Sequence, residues 1–295
     1  MKNLIRFDWA LKRLLRNKAN HKILEGLMSE LLNEDITIIN ILESPALSLS
    51  NVEGNQETED DKFNRVDLLV ENSKKELTII EIQNRSEYDY FHRILYGTSK
   101  LISEYLKLGE PYEKVRKVYS INIIYFNLGQ GEDYIYHGRT DFEGMHKHDK
   151  LLLSEKQKTE FHKNEPAQIF PEYYIIKVNC FDDYAKNTLD EWIYYLKNDE
   201  IKDEFRAKGL MEAREILKVD KLSEEDRKAY KRYWENKSFE ASILHTMKID
   251  AVDIIKKDKA IEIATQMLKD GEPIEKIIKY TGLTKEELQS ISPML

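Results

Sequence analysis

A lone cysteine, Cys180, in 295 residues has no partner for an internal disulfide, which excludes a disulfide-stapled scaffold and fits a reducing compartment. Long apolar runs are absent too. No stretch approaches membrane-spanning length, and Met1 to Asp8 lacks the uninterrupted apolar core of a signal peptide, so a cytoplasmic chain without membrane contact is expected. Nor is there an excess of positive charge. A net charge of -8 argues against a general nucleic-acid-coating protein, so any DNA contact must come from a local patch. The length allows one large domain or two modest ones, with a proper core.

What is present is most informative between Arg65 and Gln83. This segment reads as two strands joined by a polar turn, and a turn centred on Lys74 sets Asp67 opposite Glu81. Facing residues of an antiparallel pair share a face, so the two carboxylates sit side by side with Leu69 and Ile79, while Leu68, Val70, Ile80 and Ile82 take the reverse. Such a hairpin, apolar on both faces, belongs inside a sheet. Paired carboxylates there need protonation, a basic partner or a metal cation. Magnesium suits them best, because it takes hard oxygen ligands and completes its shell with water and substrate phosphates. Gln83 returns to the same face with a neutral amide. A register slipped by one residue would instead leave two solvent-facing charges, and spacing leaves both readings open.

Before the hairpin, the pattern predicts helices over Asp8–Arg16 and Asn20–Leu32 and a strand over Ile36–Leu42. The first helix carries a basic cluster that includes Lys12 and Arg16. It is either a phosphate-contacting patch or a solvated face. Ser44–Asp61 is polar and without periodicity, and reads as a loop beside the site. After the hairpin a helix is expected over Ser86–Leu108, with Tyr88, Phe91, Leu95, Ile102 and Leu106 inward. Asp89, His92, Arg93, Tyr96 and Lys100 line another side, where Arg93 or Lys100 could grip a phosphate or simply face solvent. Strands follow at Tyr119–Phe126, Asp133–His137 and Tyr173–Val178. His137, His146, His148 and Asp149 form no ligand set of recognised spacing and read as a surface loop.

From about Asn187 the pattern is helical, with pieces at Leu189–Leu196, Ile201–Leu217, Ser223–Trp234 and Ile261–Leu268. Pro273–Leu288 looks like helix, glycine turn and helix, with Thr284 and Glu287 as a capping box. This resembles a helix-turn-helix. Glu286 and Glu287 would repel phosphates, which favours packing or homo-oligomer formation over base reading.

Asp67 with Glu81-Ile82-Gln83 resembles the active-site signature of the PD-(D/E)XK nucleases, in the variant where glutamine replaces the last lysine. The blocks "NHKILEGLMSELLNEDI", "KFNRVDLLVEN", "IIEIQNRSEYDYFHRILYGTSKLI", "KVYSINIIYFNLGQGEDYIYHG" and "FPEYYIIKVNCFDDYAKNTLDEWIYYLK" together resemble the bacterial recombination-promoting nuclease (Rpn) family, from about Phe7 to about Leu217. The resemblance implies a restriction-endonuclease-like α/β core with a mixed sheet flanked by helices, and magnesium-dependent DNA cleavage, with manganese as a substitute ion. By position, Glu25 corresponds to the family's acidic residue on the first helix, Asp67 and Glu81 to its metal ligands, and Gln83 to its replacement for lysine. Val66 stands where a proline would precede the aspartate.

The expected organisation is a nuclease-like domain over 1–186 and a helical region over 187–295. Three classes of function follow: a metal-dependent DNA endonuclease linked to recombination or mobile DNA; a catalytically idle DNA-binding or recombination accessory protein; and a protein-interaction or inhibitory module. Retention of Glu25, Asp67 and Glu81 favours the first.

Overall fold

The computed structural model describes residues 4–42 and 67–291; the expected loop Ser44–Asp61 lies outside them. Its strands are β1 (Ile38–Leu42), β2 (Leu68–Asn72), β3 (Leu77–Gln83), β4 (Val118–Ile124), β5 (Ile135–Gly138) and β6 (Glu172–Lys177). They form one mixed sheet in the order β1-β2-β3-β4-β6-β5, parallel at β3/β4 and β4/β6 and antiparallel elsewhere. With its flanking helices this is a restriction-endonuclease-like α/β fold.

The β2–β3 turn sets the register from within. Asn72 Oδ1 accepts from the backbone N–H of Lys74 at 3.0 Å and of Glu76 at 2.9 Å, while Lys75 adopts a left-handed φ of 62°. An asparagine that bonds its own turn stabilises the reversal before any long-range contact forms. Leu68 then pairs with Ile80, Leu69 with Ile79, Val70 with Thr78 and Glu71 with Leu77, the ladder expected for a turn centred on Lys74. Parallel pairing with β4 brings Asn122 beside Glu81 and Ile124 beside Gln83. Both strands are interior, as their apolar faces require.

One face of β3 and β4 is covered by α3 (Tyr90–Tyr105), which buries Tyr90, Ile94, Thr98 and Leu101. Leu69, Leu77, Ile79 and Val118 pack against Leu101, with Ile102 and Tyr105 alongside. The expected inward stripe needs correction: Tyr88, Phe91 and Leu95 are exposed. The buried face includes residues that hydropathy counts as polar but whose groups are satisfied inside. The Tyr90 hydroxyl donates to Asn122 Oδ1 at 3.2 Å, and Thr98 Oγ1 donates to the Ile94 carbonyl at 2.7 Å.

A second core gathers α1 (Phe7–Arg13), α2 (His21–Leu32), α5 (Thr188–Asn198) and α6 (Leu210–Ile216); α4 (Glu155–Phe161) lies outside it on the surface. Phe7 meets Trp192 and Tyr195 edge-on at 6.2 and 6.1 Å, Tyr195 donates to the Ile5 carbonyl at 2.9 Å, and Trp192 Nε1 donates to the Lys208 carbonyl at 3.1 Å. Gly26 makes room for this crossing. A Cβ there would lie 2.1 Å from the Lys208 carbonyl oxygen and 2.7 Å from Gly209 Cα. Both obstacles are backbone, so Gly26→Ala is expected to cost about 2–3 kcal/mol, read as a lowered midpoint in thermal or urea unfolding. An alanine variant as stable as the parent would show that the crossing gives way.

Two differences concern the helical part. Residues 201–209 are not helical, and α6 begins only after Gly209, whose φ of +82° breaks the run. The pieces expected at Ser223–Trp234 and Ile261–Leu268 belong to one helix, α7 (Glu224–Lys269), 46 residues long. The stretch between them lacks a buried face, so periodicity gives it no signature. The chain divides into compact units after Ser223, not after Lys186. Helices α5 and α6 lie in the first unit, beyond the boundary expected at Lys186.

The second unit comprises α7, α8 (Ile274–Thr281) and α9 (Lys285–Ile291). Ala264, Ile277, Leu283 and Leu288 form its centre, with Ile261, Met267, Leu268 and Ile278 around them. Gly282 ends α8 at φ +70°, a left-handed cap that costs glycine little. Among the described residues no helix is long and apolar enough to cross a membrane.

Candidate active site

Extending the β2–β3 ladder by one residue sets Asp67 across from Glu81, at the strand ends away from the turn. Asp67 Oδ2 accepts from the Ile82 backbone N–H at 2.8 Å, which fixes the carboxylate against β3. Its Oδ1 meets Lys12 Nζ at 3.0 Å. Arg16 Nη2 donates to the Asp67 main-chain carbonyl at 2.9 Å. Helix α1 also reaches the other side of the site, where Asp8 Oδ2 accepts from Asn84 Nδ2 at 3.3 Å. The N-terminal basic cluster thus contributes Lys12 to the Asp67 carboxylate and Arg16 to the Asp67 backbone.

Glu81 is the more enclosed of the two. Burial raises its pKa above the ordinary glutamate range; Arg93 opposes that rise, and the nearby Asp67 charge adds to it. Arg93 Nη2 lies 3.2 Å from Glu81 Oε1, while Nη1 lies 2.6 Å from Glu87 Oε1. Gln83 Nε2 also donates to that Glu87 oxygen. Beside Glu81, Asn122 is fully enclosed, bonded to Tyr90, Ser120 and the Tyr174 carbonyl. Of the two expected α3 cations, Arg93 therefore serves the carboxylates, whereas Lys100 pairs within its helix to Glu104 at 3.9 Å.

Glu25 is not drawn into this group. Its Oε1 accepts from the Ile38 backbone N–H at 2.8 Å, tying α2 to β1. Among the described residues no three His, Cys, Asp or Glu side chains converge as a metal cage. Two facing carboxylates remain, and they fit a hard divalent ion that fills its other positions with water and phosphate oxygens. Glu87 and Asn122 escaped the sequence reading. Glu87 falls within the expected helix but lies just ahead of α3, so its bonds to Gln83 and Arg93 depend on the strand-to-helix connection, and Asn122 lies inside an apolar strand whose neighbour only the sheet order reveals.

In the second unit, the Thr284–Glu287 capping box forms as expected. The Thr284 N–H donates to Glu287 Oε2 at 2.8 Å, and the Glu287 N–H donates to Thr284 Oγ1 at 3.2 Å. Glu287 also pairs with Lys257 at 2.8 Å. One of the two glutamates counted against phosphate contact is thereby neutralised within the unit.

The model of the PD-(D/E)XK nuclease family transposases matches residues 5–247, and that of the Rpn/YhgA-like nuclease family's C-terminal HTH domain matches residues 257–293. Searches of curated proteins and of solved structures gave no match. These findings associate the chain with nucleases, mobile elements and DNA binding; they lend no support to self-association through the C-terminal helices. With the facing carboxylates in a mixed sheet and a helix-turn-helix segment after the long helix, the chain belongs to the PD-(D/E)XK nuclease family transposases.

Proposed function

We propose that the protein is a metal-dependent DNA endonuclease. In the reaction a water oxygen bonds to phosphorus as the bond from phosphorus to the leaving deoxyribose oxygen breaks, giving a phosphate monoester and a free hydroxyl that share the water's hydrogens. The observation that carries this reading is the placement of Asp67 opposite Glu81 with the Lys12 and Arg93 cations around them. A magnesium or manganese ion held by Asp67 and Glu81 would neutralise phosphoryl charge and acidify a bound water.

The remaining work falls to the chain's own groups. Arg93, fixed between Glu81 and Glu87, holds the Glu81 carboxylate in place and offsets its burial. Gln83 spends its amide N–H on Glu87, so the atom it offers an attacking water is Oε1. It orients that water and cannot take a full proton from it. Glu25 stands outside the proposed ligand pair. The helix-turn-helix unit, with its core on α7, would hold DNA for the nuclease unit.

Supercoiled plasmid should be nicked with magnesium present and left intact with chelator. A protein that binds plasmid yet leaves it supercoiled under both conditions would instead be a catalytically idle accessory.

A further inference from the structure

The cations at the carboxylate pair are not equivalent. Arg93 is half-buried and bonded to two carboxylates, so its bond to Glu87 keeps it beside Glu81. Lys12 makes one such contact. Its Nζ lies 3.0 Å from Asp67 Oδ1, and its side chain is 59 % exposed while that of Asp67 is 16 % exposed. Its helix is nonetheless anchored at the site, by Asp8 with Asn84 and, just past its C-terminal end, by Arg16 on the Asp67 carbonyl. A flexible four-carbon stem on a fixed helix can move its ammonium while its root stays put.

We propose that Lys12 is a catalytic residue: it balances the Asp67 charge when no divalent ion is bound, and in the loaded site its side chain swings so that the ammonium donates a hydrogen bond to a non-bridging oxygen of the scissile phosphate. The assignment rests on the endonuclease reading above. Its physical basis is that an ammonium and a divalent ion repel each other on one carboxylate oxygen, while the incoming phosphate is the nearest alternative anion. Gln83 is neutral and already bonded to Glu87, so it brings no positive charge to this place. Lys12 does.

The test uses the full chain with Lys12→Met and Lys12→Arg. Calorimetry with Mn2+ alone, without DNA, reads the first half of the proposal. Lys12→Met should bind the ion about threefold or more tightly than wild type, because a competing unit charge has gone. Plasmid nicking reads the second half. Lys12→Met should lose about 100-fold in kcat with KM nearly unchanged, and Lys12→Arg should recover most of that loss. Lys12→Met that binds Mn2+ more weakly would make Lys12 a prop for Asp67 and overturn the proposal. Wild-type cleavage with Lys12→Met unaffected overturns the Lys12 assignment alone, whereas a wild-type protein that neither binds Mn2+ nor cuts DNA overturns both readings.

Discussion

Asp67→Asn and Glu81→Gln are each expected to lower plasmid nicking by about 100- to 1,000-fold or more while the protein stays folded. Amides are chosen because the structure gives each carboxylate a second duty. Asp67 Oδ2 accepts from the Ile82 N–H, and asparagine can keep that bond while losing the charge. Glu81 partners Arg93, which retains Glu87 when Glu81 is neutral. Alanine at either site would leave a donor without its acceptor, at about 1–3 kcal/mol for a buried group, and would blur loss of chemistry with loss of structure. Unfolding midpoints close to the parent's, together with lost nicking, would support the assignment. Either amide variant cutting at the wild-type rate would remove the pair from the reaction.

A chain ended at Lys186 is expected to be insoluble or unfolded, and one ended at Ser223 to melt cooperatively. The first cut discards Trp192, Ile193, Tyr195 and Leu196, all fully buried, and with them the edge-on contacts to Phe7. Losing one large buried aromatic costs about 3–5 kcal/mol, and a domain's whole stability is about 5–15 kcal/mol, so losing the group exceeds what the fold can spare. The second cut keeps the Ile5 N–H bond to the Leu217 carbonyl at 2.7 Å and the bridge between Leu4 and Lys218. Circular dichroism melts of the two proteins decide the matter, and a folded Lys186 form would restore the earlier boundary. The Ser223 form also lacks the helix-turn-helix segment. Fluorescence anisotropy with duplex DNA should show weaker binding and a shallower salt dependence than the full chain. Unchanged binding would place DNA recognition in the nuclease unit alone.

How far the sequence reaches follows from the range of the interactions involved. The β2–β3 register is legible because it depends on neighbours in the chain: alternating apolar residues and a turn that Asn72 bonds to itself. Once that turn is centred on Lys74, the placement of Asp67 against Glu81 is a matter of counting. The capping box of Thr284 and Glu287 is legible for the same reason, since both partners lie within one helical turn.

What surrounds the pair was decided by the tertiary structure. Lys12 and Arg16 reach Asp67 only because α1 lies at the strand ends, and Asn122 stands beside Glu81 only because β4 joins β3 in parallel. Glu25 looked like a third ligand in sequence, but it spends an oxygen on the Ile38 N–H, because a half-buried carboxylate takes the nearest donor the packing offers. The inward face of α3 escaped prediction because Tyr90 and Thr98 can be buried once their hydroxyls are bonded, whereas hydropathy scores a hydroxyl without the partner that the fold supplies. Local spacing by itself thus determined which carboxylates face each other, while the cations that balance them, and the enclosure that raises the Glu81 pKa, required segments far apart in the chain to pack together.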